Sequence, residues 1–327
     1  MRVLIIGATG FLGANLVIAA REAGHAVRAF CHGTSDTRFI SLPGVQKVGG
    51  DLFDLPSLEQ AMRDIDVVFH AAGPYPVFSL KGKKELARAS RSALNILAAA
   101  EKIGSPRLVY TSSLTTIGRR FESARLADEA VAFNRRGYLT PYFDMKILME
   151  EIFIEAAGKG YPVVIVNPTF CFGRYDLKPA RRLVRQVARG RMPFYMEAPL
   201  NFADARDVAQ GHLLAAEKGT PGERYILGGE NIMFSQVLRT IAEVCGLAPP
   251  RIRLPFLFGL GAALASETVS LITRKPPPVP LVGVELLRFS QFLDCQKARE
   301  KLGYRTRYSV KETIEDAVAW LREIGQL

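Results

Sequence analysis

The chain opens with an apolar strand that runs straight into three spaced glycines and a helix, an order that few folds accommodate. Val3-Leu4-Ile5-Ile6 leads into Gly7-Ala8-Thr9-Gly10-Phe11-Leu12-Gly13. Gly7 permits the tight turn, Gly10 lets the backbone approach a pyrophosphate, and Gly13 lets the helix pack close to the strand. A phosphate would then sit on free amides at the helix N-terminus, where the helix dipole favours negative charge. The segment therefore reads as a dinucleotide loop, with Gly7, Thr9, Gly10, Phe11, Leu12 and Gly13 as cofactor-binding candidates.

The strand-helix unit then repeats along the chain. Ala26–Cys31, Val45–Val48, Val67–Ala71, Leu108–Ser112 and Val163–Val166 read as strands, with helices over Gly10–Ala23, Pro56–Arg63, Lys83–Ile103 and Tyr142–Ala157. Fully apolar strands alternating with helices imply a parallel sheet covered on both faces, an α/β doubly wound fold whose ligands gather at the carboxyl ends of the strands. The expected division is a dinucleotide-binding domain over 1–168 and a mixed region over 169–327 that carries a smaller C-terminal substrate lobe. Asp204–Glu217 and Arg224–Leu227 are open to either.

Hydrophobic residues make up 48% and charged residues 23% of the 327, as in soluble globular proteins. No signal-peptide pattern stands at the start. Cys31, Cys171, Cys245 and Cys295 form no CxxC pair, which suits free thiols in a cytoplasmic protein. No cluster has metal-ligand spacing, so no metal is expected. The net charge of +11 comes from scattered pairs such as Arg119-Arg120 and Arg135-Arg136. With no basic stripe between aromatics, solvated faces explain it and nucleic acid is not expected.

The second strand ends in His32-Gly33-Thr34-Ser35, without the acid that usually holds the ribose hydroxyls. A carboxylate there would repel a 2′-phosphate, so its absence favours NADP(H) over NAD(H). His32, Thr34, Ser35 and Arg38 are candidates to hold that phosphate. Tyr142 and Lys146, four apart, share one helix face, after a strand that ends in Ser112 and Ser113. A free phenol titrates near pH 10. A lysine ammonium and an oxidised nicotinamide would lower that value and let the tyrosine exchange a proton with substrate while hydride moves at the cofactor. His70 and His212 read as core histidines.

Taken together, the glycine loop, Gly49-Gly50-Asp51-Leu52, Val68-Phe69-His70-Ala71-Ala72-Gly73, Tyr110-Thr111-Ser112-Ser113, Tyr142–Lys146, Val166-Asn167-Pro168, Asp207-Val208-Ala209 and Lys297–Tyr304 resemble the extended short-chain dehydrogenase/reductases of the NAD-dependent epimerase/dehydratase superfamily. The likeness spans the whole chain. Gly222–Asn231 is most similar to the dihydroflavonol-reductase-like and hopanoid-associated epimerase-like group. The resemblance implies a Rossmann fold with Asp51 and Leu52 beside the adenine, Ala71 and Ala72 along the cofactor channel, and Asn167 and Pro168 at the nicotinamide. It also implies Ser113 as the active-site serine, with Ser112 the nearer competitor, beside Tyr142 and Lys146. One departure is Ala89, where the family commonly has an Asn in the helix before the serine strand.

The leading expectation is an NADP(H)-dependent carbonyl reductase or secondary alcohol dehydrogenase acting on an apolar, lipid-like or aromatic substrate. The rival is a sugar-nucleotide epimerase or dehydratase with tightly held NAD, for which Arg174, Lys178, Arg181 and Arg182 could form a second phosphate pocket. A redox-inert dinucleotide sensor is the reading from another class, against which the intact Ser–Tyr–Lys set speaks. A homodimer is compatible with all three. The aromatic segments Pro74–Phe78 and Phe194–Met196 stand where this fold receives substrate. Leu254–Ile272 is apolar between Arg251, Arg253, Arg274 and Lys275 but, with Glu267 inside it, falls short of the ~20 residues of a membrane crossing. It either packs as core of the small lobe or lies peripherally on an anionic membrane surface.

Overall fold

The computed structural model describes residues 1–73, 82–120, 125–176 and 179–327, except the side chains of Lys83, Pro179, Ala180 and Arg181. The Pro74–Phe78 segment and Lys178 lie outside the described residues.

The first half alternates as its periodicity predicts. β1 (Arg2–Ile6), α1 (Phe11–Glu22), β2 (Ala26–Cys31), β3 (Val45–Gly49), α2 (Leu55–Met62), β4 (Val67–His70), α3 (Gly82–Lys102), β5 (Arg107–Thr111), α4 (Tyr142–Gly158) and β6 (Val163–Pro168) follow in turn. Then come β7 (Phe170–Phe172), α5 (Pro179–Ala188), β8 (Phe194–Tyr195), β9 (Pro199–Asp204), α6 (Ala205–Lys218), β10 (Arg224–Leu227), β11 (Glu230–Met233) and α7 (Phe234–Cys245). β12 (Ile252–Arg253), α8 (Phe256–Thr273), α9 (Leu281–Arg288), α10 (Gln296–Leu302) and α11 (Val310–Glu323) complete the chain.

Seven strands form one parallel sheet in the order β10-β6-β5-β4-β1-β2-β3. Side chains alternate across a strand, and β1 shows the result. Val3 and Ile5 face the core under α1 and α6, while Leu4 and Ile6 face the core under α2, α3 and α4. Buried on both faces, β1 after Arg2, β4 before His70 and the first four residues of β6 read as unbroken apolar runs, whereas the edge strand β3 carries exposed Gln46 and Lys47. The strand order reverses direction at β1 and β4, so a crevice opens beyond their carboxyl ends. That crevice lies between the glycine loop and Ala71.

The region after Asn167 divides in space. β10 pairs with β6 and α6 packs on α1, so both return to the main sheet. The other segments build a lobe around a three-stranded sheet, β11-β9-β7, with Phe172, Leu200, Val237 and Trp320 in its own core. α8 and α9 pack on each other through Phe256, Leu260, Ala263, Leu281 and Val284.

Candidate active site

At the end of β1 the backbone of Gly7 is left-handed, with φ +88°. A Cβ there would stand 2.6 Å from the Ala72 amide nitrogen, and a Cβ at Gly13 would stand 2.0 Å from the Gly7 carbonyl oxygen. Loop and helix thus touch backbone to backbone, which only glycine allows. Gly10 precedes α1 in extended conformation; no side chain caps the helix, and its first turn holds no acid. The free amides and the cradle fit the pyrophosphate of a nicotinamide dinucleotide. Thr9 is half-buried on the same loop.

Farther along, His32 at the tip of β2 makes two contacts. Its Nδ1 lies 2.9 Å from the Thr34 hydroxyl, and its Nε2 lies 3.7 Å from Asp51. The sequence has no acid at the strand tip, yet the pairing of β2 with β3 brings Asp51 there. Arg38 is engaged with Asp36 at 2.7 Å. The Leu52 carbonyl accepts from Asn95 Nδ2 at 2.9 Å, so Asn95 ties the loop after β3 to α3.

Ser113 caps a short turn over Leu114–Thr116, where its Oγ accepts from the Thr115 amide at 3.2 Å. Its hydroxyl also bonds the Tyr142 phenol. The strand's alternation separates the two serines, and only Ser113 meets the tyrosine. Burial raises the Tyr142 pKa, and the bond from Ser113 opposes that rise. Lys146 donates to the carbonyls of Thr111 at 3.2 Å and Ser112 at 3.3 Å. Desolvation brings its ammonium down to about 8, with the Glu150 carboxylate pulling the other way.

Glu150 escaped sequence reading, although its place four residues beyond Lys146 repeats the Tyr142–Lys146 spacing. It pairs with Arg224 at 3.0 Å and accepts from Thr116 Oγ1 at 2.8 Å and Asn167 Nδ2 at 2.7 Å. Asn167 also donates to the Ser113 carbonyl at 3.2 Å, so it braces the serine from behind. His212 is a satisfied core histidine: its Nδ1 donates to the Val208 carbonyl, which leaves Nε2 to accept from Thr111 Oγ1. His70 is buried against Tyr110 and Phe153, and its pKa is pushed to about 3 by burial and then by Lys146. It is neutral at any working pH.

Phe11, Leu12, Ala71, Ser113, Tyr142, Lys146 and Pro168 line one cavity of about 400 Å³. Beyond the triad its wall is mostly apolar, with Leu114, Phe170, Leu183, Leu200, Phe234, Leu286 and Leu287. Its amides are occupied: Asn201 bonds Asn231 at 2.8 Å and Gly229, and Gln291 donates to the Gly118 carbonyl at 2.9 Å. Of the arginines expected to form a second phosphate pocket, Arg174 pairs with Asp316 at 2.8 Å and Arg182 donates to the Pro277 and Pro278 carbonyls. Neither lines the cavity. The lobe's contribution from α9, more than a hundred residues after Tyr142, left no signal in the local pattern.

The NAD-dependent epimerase/dehydratase family profile matches residues 3–228. The chain is 36% identical to a Synechocystis sp. protein named after dihydroflavonol 4-reductase, over 98% of this chain and 94% of that one. It is 32% identical to sterol demethylase protein B of Methylococcus capsulatus, over the full length of both. The crystal structure of Thermus thermophilus UDP-glucose 4-epimerase in complex with NAD superposes with a TM-score of 0.76 at 22% identity, over 98% of this chain and 99% of that one. At that identity the likeness shows the fold alone.

Proposed function

Since the chain belongs to the NAD-dependent epimerase/dehydratase family and is an NAD(P)-dependent oxidoreductase, we propose that it is an NADP(H)-dependent carbonyl reductase or secondary alcohol dehydrogenase for an apolar ketone or alcohol. The nicotinamide, when bound, supplies or accepts the hydride. In the reducing direction Tyr142 gives its proton to the carbonyl oxygen, and the Ser113 hydroxyl holds that oxygen. Lys146 keeps a positive charge behind the phenol. The carrying observation is the wall of the cavity: leucines and phenylalanines around the Ser–Tyr–Lys set, amides already spent on the protein, and no cation but Lys146 among the described lining residues. A nucleotide sugar's phosphates would have no counter-charge there. The names of the two relatives refer to a dihydroflavonol and a sterol, both uncharged ring systems without phosphate. A second copy of the chain and an anionic lipid surface fit this reading as partners.

The NADP(H) preference rests on His32 and Thr34 alone, since Arg38 is spent on Asp36 and Asp51, 3.7 Å from His32 Nε2, weighs towards NAD(H). In a panel of ketones followed by NADPH absorbance, apolar aryl or polycyclic ketones are the substrates, NADH is the poorer donor, and His32→Asp reverses that order by placing a carboxylate against the 2′-phosphate. Stoichiometric NAD in the purified protein and turnover of nucleotide sugars alone would instead establish the epimerase. An unchanged NADPH to NADH ratio in His32→Asp removes the cofactor argument.

The pH profile follows from Lys146. A lysine brought down to about 8 is charged below that pH and neutral above it, so ketone reduction falls as the pH rises through about 8. Glu150 holds the proton on, and Glu150→Gln therefore moves this limb to lower pH. A limb in the same place in both proteins would show that Lys146 is not the titrating group.

A further inference from the structure

α8 is built inside out. Its buried positions are Ala263, Ser266, Glu267 and Ser270, and its one charged residue, Glu267, is 5% exposed. Two of these polar groups hold the end of the proline-rich link and the start of α9, and the third bonds within α8. Ser266 Oγ accepts from the Val279 amide at 3.0 Å, Glu267 from the Leu281 amide at 3.4 Å, and Ser270 Oγ donates to the Ser266 carbonyl at 2.8 Å. The bulky residues point the other way: Leu257 is 75% exposed, Phe258 67%, Ile272 80%, with Leu264, Val269 and Leu271 also out. At the 100° per residue of an α-helix these six fall on one arc of about 160°. A helix packed on a soluble domain shows the reverse pattern, and soluble monomers rarely expose a continuous apolar face of this kind.

Both ends of that face are cationic. Arg251 and Arg253 precede α8, and Arg274 and Lys275 follow it, all exposed. We propose that α8 lies along the surface of an anionic lipid bilayer, with its Leu257, Phe258 and Ile272 face in the acyl boundary and the four basic residues at the headgroups. The helix lies flat rather than crossing, because its opposite face is committed to α9 and to the link. A second copy of the chain is the poorer occupant. Cations stand at both ends, so pairing two such faces parallel or antiparallel sets like charge against like. The helix is also joined to the active site. Its Phe256, Leu260 and Ala263 pack on Leu281 and Val284 of α9, and Gly283, Leu286 and Leu287 of α9 line the substrate cavity. The surface contact stands on α8 itself; only its use, delivery of an apolar substrate from the bilayer, rests on the proposed function.

The test is co-sedimentation of the full chain with phosphatidylcholine vesicles, with and without phosphatidylserine. Binding is expected with phosphatidylserine at low salt, weaker at moderate salt. Leu257→Ser, Phe258→Ser and Ile272→Ser combined lower the bound fraction at least about tenfold, while far-ultraviolet circular dichroism, NADPH binding and turnover of a short water-soluble ketone stay unchanged. Wild type that binds neither vesicle, or a triple variant that binds as wild type does, overturns the proposal. So does a concentration-dependent dimer that the triple variant abolishes in a protein without vesicle binding, which would give this face to a second copy. Vesicle binding by a protein that reduces no ketone would overturn the proposed function and leave the membrane surface standing.

Discussion

Replacing Tyr142 with phenylalanine leaves a protein that binds NADPH nearly as wild type does but turns over about 10² to 10⁴ times more slowly. The ring is packed against Phe143 and stays so in the variant, which keeps α4 and the Lys146 contacts to Thr111 and Ser112 in place. What is lost is one hydroxyl, the group that Ser113 bonds and that would pass a proton to the substrate oxygen. Ser113 cannot take over, because an aliphatic alcohol is a far weaker acid than a phenol. His70 offers no substitute, as burial holds it neutral. Steady-state kinetics alongside NADPH fluorescence titration separate the two effects. If Tyr142→Phe keeps more than about a tenth of wild-type turnover, the phenol is not the proton donor.

The second large effect is expected at Gly13, far from the proton chemistry. Gly13→Ala puts a methyl 2.0 Å from the Gly7 carbonyl oxygen and 2.7 Å from its carbon. Both obstacles are backbone, so no rotamer relieves the clash and the whole loop must lift off α1. Such overpacking costs about 1–3 kcal/mol of stability. The lifted loop also misaligns the amides that face the phosphate. Losing one charge-assisted hydrogen bond, worth about 1.5–3 kcal/mol, weakens NADPH binding by about ten- to a hundredfold. Gly158→Ala, whose Cβ meets nothing within 4 Å, is the matched control and should leave both Tm and the NADPH Kd near wild type. Equal Kd and Tm in Gly13→Ala and wild type would show that the loop tolerates a side chain there.

The doubly wound sheet and the glycine loop were legible because their signals are local. A strand buried on both faces is apolar throughout, a loop that meets a helix backbone to backbone must be glycine, and residues four apart on α4 share a face. Those rules work within about ten residues, and they were enough for β1 to β6 and for Tyr142 with Lys146. Tertiary structure decided whatever depended on partners distant in the chain. The register of β2 on β3, with Cys31 opposite Gly49, brings Asp51 to His32 and puts an acid where the strand tip has none. The pairing of β10 with β6 returns Arg224 to the main sheet and gives Glu150 a counter-charge 74 residues away. Ser113 was separated from Ser112 by which side chain faces α4. The last case is α8, whose composition reads equally well as core or as lipid-facing. In the folded chain Ser266 and Glu267 face inward and accept from the Val279 and Leu281 amides, while Leu257, Phe258, Leu264 and Leu271 face out.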